Sequence, residues 1–371
     1  MARTYLLAGG GTGGHVNPLL ATAAELVARG NRVVALGTRE GLEADLVPRA
    51  GLELKTIPRA PAPRQFGRDA LRFPGRLRRA LAQAREVVDD VRPDAVVGFG
   101  GYVSMPAYAA ARKRGVPVVV HEANARPGLA NRLGARWASA VAVTVPGTPL
   151  RGAVVTGLPL RREIADLAVL IREGRAAPVR ASARTALGWP DDAMGVLIMG
   201  GSLGAARLNA AVAEAIPAIV GHGIHVIHLT GRGKDDDAER ALGDLAAKHR
   251  RQYVLEEYAF DMASAFAAVD AVVCRAGAAT VAEVSALALP ALYVPLPIGN
   301  GEQKLNAAPA VAAGAATLVE DRYFTAAALT LGLESMLLDQ TARDSMLVAA
   351  SGIGIIDGAA RLADLIEGVV R

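Results

Sequence analysis

Residues 6–18 read LLAGGGTGGHVNP. A short apolar run, suited to the end of a buried strand, gives way to glycine at 9, 10, 11, 13 and 14, broken only by Thr12. A helix is expected to start near His15. Taken literally, Gly9-x-Gly11-x-x-Gly14 is a dinucleotide-binding turn, and that reading makes a further demand. An acid should close the next strand, about 20 residues on, to hold ribose hydroxyls. The next strand, RVVALGT, instead ends Leu36-Gly37-Thr38-Arg39. Arg39 would suit a 2′-phosphate, so NADP stays open. Glycine at nearly every position is, however, what a bulky phosphorylated group lying against the loop requires, with backbone N–H groups and a helix N-terminus facing the anion.

Outward from this stretch, apolar runs alternate with helical patterns along the chain. TYLLAGG, RVVALGT, ELKTIP, DAVVGFG, PVVVHE, SAVAVTV and AVVTGLP read as strands in the first half, and GVLIMGG, HVIHLTG, QYVLEEY, AVVCRAG and ALYVPLP in the second. Continuous hydrophobicity marks strands buried on both faces of a parallel sheet, joined by right-handed crossovers. After AVVTGLP comes a stretch without clear strands, 161–194, and then GVLIMGGSLGAARLN repeats the opening logic of strand, glycine turn and helix. The expected architecture is α/β, with two Rossmann-like doubly wound parallel-sheet domains facing a cleft. Residues 1–160 form the first and 161–354 the second, and a helix at about 355–371 packs back on either. Paired glycines end three strands, at 9–14, 100–101 and 200–201, where doubly wound sheets bind ligands. Tight strand-to-helix turns also use glycine without any ligand.

At 371 residues the chain exceeds one ordinary core, and 52% hydrophobic with 21% charged residues is a globular composition. The single cysteine, Cys274, excludes an intramolecular disulfide and, inside AVVCRAG, reads as core. The start lacks a signal-peptide pattern and no apolar stretch is long enough to span a bilayer, so a soluble cytoplasmic protein is expected. The net charge of +5 is uneven: residues 59–85 hold eight arginines and one aspartate, a net +7, leaving −2 elsewhere. Leu71, Leu77 and Leu81, with Phe73, form an apolar stripe there among Arg72, Arg76, Arg78 and Arg79. Such a helix either lies on an anionic membrane or turns its leucines to the core with the arginines solvated. Nucleic acid is not expected, because aromatics are few and not interleaved with the basic run.

In the second half, CRAGAATVAEVSALALP places Glu283 one to two turns into a helix, where a carboxylate can accept both hydroxyls of a ribose. Read alone, a glutamate there is an ordinary exposed helix residue. VPLPIGNGEQKLNA then leads through Pro295, Pro297 and a polar loop to Glu302-Gln303 at a helix start, suited to a sugar with several hydroxyls. Taken with GGGTGGHVNP, GFGGYVSMPA, HEANARPGLANR and GGSLGAARLN, in order across residues 9–309, the chain resembles the MurG family. Its members move N-acetylglucosamine from UDP-GlcNAc to lipid I in peptidoglycan synthesis, and have the GT-B fold.

The resemblance implies a set of roles. Ser202 would bind the UDP diphosphate; Ala278, Ala279, Thr280, Val281, Ala282 and Glu283 would hold uridine and ribose, Glu283 taking the ribose hydroxyls. Backbone at Ala259 would meet uracil, Arg161 would neutralise donor charge, with Arg162 its neighbour, and Thr12, Gly13, Gly14 and Asn124 would complete the donor site. Glu302-Gln303 stands where the family commonly has Gln-Gln. An ionised Glu302 can donate no hydrogen bond and adds charge near a diphosphate, so the sugar contact is expected at Gln303. Gly13, Gly14, Gly100, Gly101 and Tyr102 would hold the acceptor diphosphate. Inversion at the anomeric carbon needs a general base, for which His15 is the candidate, with Glu122 its rival. His15 would alternatively order the loop or bind the acceptor diphosphate. Asp235-Asp236-Asp237 imitates a metal-binding acidic motif but follows GRGK at an expected helix start, so no metal and no cofactor are expected. The expected partners are UDP-GlcNAc, lipid I and the cytoplasmic face of an anionic membrane through 59–85, making the protein peripheral there. Competing readings are a GT-B glycosyltransferase with another lipid or small acceptor, an NADP-dependent oxidoreductase, and a non-catalytic membrane scaffold.

Overall fold

Strands buried on both faces organise the molecule, and all strand pairs are parallel. The computed structural model describes residues 2–61, 68–201, 205–259, 261–298 and 300–370, with backbone alone at 68–71. Two compact units divide the chain: residues 1–161 with 357–371, and residues 162–356.

Unit 1 holds strands β1 (Thr4–Ala8), β2 (Arg32–Gly37), β3 (Glu53–Thr56), β4 (Ala95–Gly98), β5 (Val118–Glu122), β6 (Ala140–Val143) and β7 (Ala153–Val155), in spatial order 3-2-1-4-5-6-7. Its helices are α1 (Gly13–Ala28), α2 (Glu43–Arg49), α3 (Arg68–Val91), α4 (Gly101–Lys113) and α5 (Leu129–Gly134). Unit 2 begins with α6 (Arg162–Arg172) and α7 (Ala177–Ala186), the stretch that read as strandless. Its sheet comprises β8 (Met194–Met199), β9 (Ile224–Leu229), β10 (Tyr253–Glu256), β11 (Ala271–Cys274), β12 (Ala291–Tyr293) and β13 (Ala316–Leu318), in order 10-9-8-11-12-13. Helices α8 (Ala206–Gly221), α9 (Asp236–Gly243), α10 (Ala247–Arg250), α11 (Met262–Ala268), α12 (Ala278–Ala286), α13 (Glu302–Ala312), α14 (Ala326–Leu333) and α15 (Gln340–Ser351) flank it, and α16 (Gly358–Gly368) returns to unit 1.

The central strands of unit 1 feed two cores through the two-residue alternation of their side chains. Leu6, Ala8, Val34 and Leu36 pack with Ala80, Ala84 and Val88 of α3. Tyr5, Leu7, Val33 and Ala35 pack on the other face with Leu19, Ala23 and Leu26 of α1 and Leu362, Ala363 and Ile366 of α16. Leu362 and Ile366 are fully buried, each contributing about 1.5–3 kcal/mol. Half-exposed ion pairs from Arg29 to Asp364 (2.6 Å) and Glu367 (2.9 Å) add register more than stability. Gly358 sits so close to the chain that a Cβ would lie 2.5 Å from the Leu158 carbonyl oxygen.

The core face of α3 is not the one that Leu77 and Leu81 would give, which was one of the two readings open in the sequence. Small residues, Ala80, Ala84, Val88 and Val91, enter the core, while Phe73, Leu77 and Leu81 are only half-buried and Arg72, Arg78 and Arg79 are exposed. Residues 62–67 and the side chain of Leu71 lie outside the described residues. Cys274 is fully buried at the end of β11, and burial pushes its thiol far up. No helix among the described residues is long and apolar enough to cross a membrane.

Candidate active site

The strand orders place the glycine motifs before any side chain is considered. The order in which strands are added reverses once in each sheet, between β1 and β4 in unit 1 and between β8 and β11 in unit 2. The crevice beyond the carboxyl ends of such strand pairs is where doubly wound sheets bind ligands. The loops leaving these strands carry Gly9–Gly14, Gly100-Gly101, Gly200-Gly201 and Arg275–Gly277.

In unit 1, α1 opens at Gly13 behind Thr12 and α4 at Gly101 behind Gly100; neither has a side-chain cap or an acid in its first turn. Their leading N–H groups are therefore uncapped. His15 is half-buried, with Nδ1 at 3.2 Å from both the Gly10 carbonyl oxygen and Thr12 Oγ1. A carbonyl can only accept, so Nδ1 carries the proton and the Nε2 lone pair is left for chemistry. Burial lowers the His15 pKa, against the Gly10 carbonyl and the charges of Glu122 and Glu43, which raise it. The imidazole is thus neutral at pH 7.

The second glycine pair packs directly on this arrangement. A Cβ on Gly100 would lie 3.0 Å from His15 Nε2, and one on Gly101 would lie 2.5 Å from the Gly10 oxygen. Both glycines also have positive φ, 100° and 79°. Ser104, fully buried on α4, accepts from the Gly100 N–H at 2.9 Å and has the Gly100 carbonyl at 2.8 Å, fixing this turn. Tyr102 is 38% exposed, with the Arg59 guanidinium 5.2 Å from its ring centre.

Glu122 is 3% exposed and its carboxylate is occupied by donors. The N–H groups of Asn124 and Gly128, each at 2.9 Å, and the Asn131 amide at 3.0 Å all point at it. It braces the loop that carries Asn124. One residue the sequence did not single out is Glu43, at the start of α2 and fully buried. It accepts from the Gly11 N–H at 2.9 Å, the Thr38 N–H at 2.8 Å and the Thr38 hydroxyl at 2.7 Å. Burial alone would raise its pKa; these hydrogen bonds outweigh that and hold it below the usual range. Both oxygens are therefore spent on the chain itself, and neither is left for the ribose that a nicotinamide site would present beside β2.

In unit 2, α12 starts at Ala278 with no side-chain cap and no acid in its first turn, so backbone at Ala278, Ala279 and Thr280 stands uncapped beyond β11. Val281 and Ala282 continue the helix, and Glu283 is 8% exposed rather than a solvated helix residue. Gln303 uses its Oε1 to accept from Ala276 N–H (3.1 Å) and Leu296 N–H (2.9 Å), tying the loops after β11 and β12 together. Its amide N–H groups remain available as donors. Glu302 accepts from the Asn300 N–H at 3.1 Å. Ala259 is half-buried in a groove lined by Val254, Glu256, Tyr258 and Asp261. Arg161 ends the first segment of unit 1 and is half-buried, while Arg162 is exposed and faces Asp166. Ser202 lies outside the described residues. Asp235-Asp236-Asp237 opens α9, with Asp237 paired to Arg240, and among the described residues no cluster of three metal-ligating side chains occurs.

Comparison with known proteins agrees with this fold. The Glycosyltransferase family 28 N-terminal domain matches residues 5–143 and the family 28 C-terminal domain matches residues 195–363. The UDP-N-acetylglucosamine--N-acetylmuramyl-(pentapeptide) pyrophosphoryl-undecaprenol N-acetylglucosamine transferase of Clavibacter michiganensis subsp. michiganensis is 49% identical, over 99% of this chain and 96% of its own. The protein of the same name from Mycobacterium tuberculosis is 48% identical, over 97% and 87%. The crystal structure of Acinetobacter baumannii MurG superposes with a TM-score of 0.77 at 28% identity, covering 99% of both chains. A UDP-GlcNAc 2-epimerase from Neisseria meningitidis, bound to UDP-GlcNAc, shares the fold alone, with a TM-score of 0.68 at 14% identity over 100% and 99%. The two Rossmann-like units are those of a GT-B glycosyltransferase, and with this identity along nearly its whole length the chain belongs to glycosyltransferase family 28 and, within it, to the MurG family.

Proposed function

We infer that this enzyme transfers GlcNAc from UDP-GlcNAc to the 4-hydroxyl of MurNAc in undecaprenyl-pyrophosphoryl-MurNAc-pentapeptide, lipid I, with inversion, giving lipid II and UDP. The observation that carries this reading is the near-full-length identity of 45–49% to transferases of that name, with every glycine motif at a topological switch point. UDP-GlcNAc is the substrate, and no cofactor enters the scheme.

In unit 2, the uncapped N-terminus of α12 receives the nucleotide, with Glu283 accepting the ribose hydroxyls and Ala259 backbone beside uracil. Ser202 takes the donor diphosphate and Arg161 offsets its charge. Gln303, its oxygen already committed, presents its amide N–H to a sugar hydroxyl, with Glu302 beside it. In unit 1, N–H groups at Gly13, Gly14, Gly100 and Gly101 hold the acceptor diphosphate, Tyr102 flanking it, while Thr12 and Asn124 border the donor. His15 is the base. Its Nε2 takes the 4-hydroxyl proton as that oxygen bonds the anomeric carbon, and the C1–O bond to UDP breaks with its electron pair leaving on the diphosphate. Glu122 is the poorer base, because its lone pairs already accept from Asn124, Gly128 and Asn131. Such a base is worth about 10²–10⁴-fold.

The acceptor's lipid brings the reaction to the cytoplasmic face of the membrane. The exposed Arg72, Arg78 and Arg79 on α3, beside half-buried Phe73, Leu77 and Leu81, support peripheral docking there.

Transfer of radiolabelled GlcNAc to a short-chain lipid I analogue tests the reading, with UDP-glucose and UDP-GalNAc as competing donors. GlcNAc-selective transfer, reduced about 10²–10⁴-fold in His15→Ala, is the expected result. Tight UDP-GlcNAc binding without transfer would overturn the acceptor assignment, and failure of both would overturn the function.

A further inference from the structure

We propose that Glu43 is a positioning residue for His15, acting through one peptide unit: its carboxylate holds the N–H of the Gly10–Gly11 peptide, and the carbonyl of that same peptide holds the imidazole. The proposal rests on His15 as the base. Its geometry is a chain of two hydrogen bonds on opposite sides of one amide, 2.9 Å from Glu43 Oε2 to Gly11 N and 3.2 Å from Gly10 O to His15 Nδ1.

The fold goes to some length to place a charge there. Glu43 is 0% exposed, and a buried carboxylate is costly unless every oxygen is hydrogen-bonded. Room for it exists only because residues 10, 37 and 41 are glycine; a Cβ at any of the three would overlap its side chain. A Cβ at residue 101 would lie 2.5 Å from the oxygen of the same peptide, so this side of the Gly10–Gly11 unit also admits no side chain.

An amide whose N–H is held by an anion is polarised, and its oxygen becomes a stronger acceptor. The Gly10 carbonyl therefore fixes His15 in the Nδ1–H tautomer more firmly. When Nε2 takes the substrate proton, the resulting imidazolium is stabilised by the same carbonyl and by the charge behind it. No proton leaves Glu43 and none crosses the peptide. The arrangement does for His15 what a directly bonded carboxylate does for a triad histidine, with one amide interposed. The other titratable groups facing His15 are Glu122 and His121, both on β5, and neither reaches Nδ1.

The test is the titration of His15 in the full chain, followed by NMR of ¹³C-labelled histidine with His15→Gln to assign the signal. Glu43→Gln keeps the volume. Its oxygen stays with the two Thr38 donors and its NH2 turns toward the Gly11 N–H, which severs the link. The His15 pKa is expected to fall by about half a unit or more, less than the 1–3 units of a directly adjacent charge. Thr38→Val removes a hydrogen bond from the same carboxylate but leaves the one to Gly11, and is expected to leave the His15 titration in place. Glu43→Asp, drawn back by one methylene with its charge retained, serves if the glutamine variant does not fold, and is expected to lower the His15 pKa by a smaller step. The proposal is overturned if His15 titrates unchanged in the Glu43 variant that folds, or if Thr38→Val moves it as far. Because the titration needs no turnover, a failure of His15 as base shows separately, as an acid limb of kcat/KM that does not follow the NMR pKa.

Discussion

Gly101→Ala is the substitution for which the structure gives the sharpest expectation. At φ 79° an alanine is strained by about 1–2 kcal/mol. Its Cβ would also sit 2.5 Å from the Gly10 oxygen, a backbone atom that cannot swing aside, adding about 1–3 kcal/mol of overpacking. Gly30→Ala is the matched control: φ is 84°, in the turn after α1, and nothing lies within 4 Å of its Cβ. It carries the backbone term alone. At about 2–4 °C per kcal/mol for a domain of this size, Gly30→Ala is expected to lower Tm by about 2–8 °C and Gly101→Ala by several degrees more. Kinetics separate them further. Relief of the clash must move the Gly10 carbonyl by several tenths of an ångström, and His15 moves with it. Misplacements of this order cost about 10–100-fold in kcat. Thermal melting and transfer assays on both variants decide the matter. If Gly101→Ala melts with Gly30→Ala and keeps kcat within about two-fold, the packing of the second glycine pair on the base is refuted.

Other outcomes follow from the same contacts. Burial lowers the His15 pKa, and a base works only when neutral, so the acid limb of kcat/KM should lie below about pH 6.5, with full activity at pH 7; a limb above pH 7 refutes His15 as a neutral base. Glu283→Ala removes charge-assisted ribose contacts and should raise the KM for UDP-GlcNAc about 10-fold or more, and an unchanged KM refutes the ribose role. Replacing Arg72, Arg78 and Arg79 together by Gln should weaken binding to anionic vesicles at low salt by about 100-fold, at ~1 kcal/mol per charge, and unchanged binding refutes docking through α3. His121 in unit 1 and His228 in unit 2 are fully buried, and burial holds each at about 4. The unfolded chain takes those protons near pH 6.5, so stability is intact above that value and is lost as pH falls toward 4. Each of these two histidines should by itself take about 2 kcal/mol from its unit between pH 7.5 and 5, read in urea by Trp137 for unit 1 and Trp189 for unit 2. His228→Phe should flatten that slope in unit 2 alone, and a urea midpoint unchanged with pH refutes the argument.

Legibility from sequence followed the physical origin of each feature. The central strands were legible because double-sided burial leaves an unbroken apolar run, as in VVALG or VLIM, which no polar residue interrupts. β13 was not, because Ala316–Leu318 is a three-residue edge strand whose middle residue, Thr317, faces solvent, leaving no such run. The role of the α3 leucines stayed open in the sequence for a related reason. An apolar stripe among arginines suits a membrane or a core equally, and only the packing shows that Ala80 and Ala84 meet the sheet while the larger side chains stay half-buried. The glycine loops were legible as loops, since five glycines in six positions have few uses.

What held those loops was not legible, and the reason is geometric. Glu43 stands in EADLVPR, where an acid in the first turn of a helix ordinarily complements the dipole at the surface. Its burial depends on the absence of side chains at 10, 37 and 41, positions that come together only when β1, β2 and α2 are assembled. Ser104 is hidden in the same way, reaching the Ala8 carbonyl at 3.2 Å, and the bracing role of Gln303 between the loops after β11 and β12 was no more legible, although the residue itself stood out. A motif records the backbone that a ligand approaches. The side chains that stiffen that backbone are scattered along the chain, and each looks ordinary at its own position. The consequence for His15 is concrete: its proton position is set by the Gly10 carbonyl, that carbonyl is set by Gly11, Glu43 and Gly101, and only the first of these neighbours lies within the stretch that announced the site.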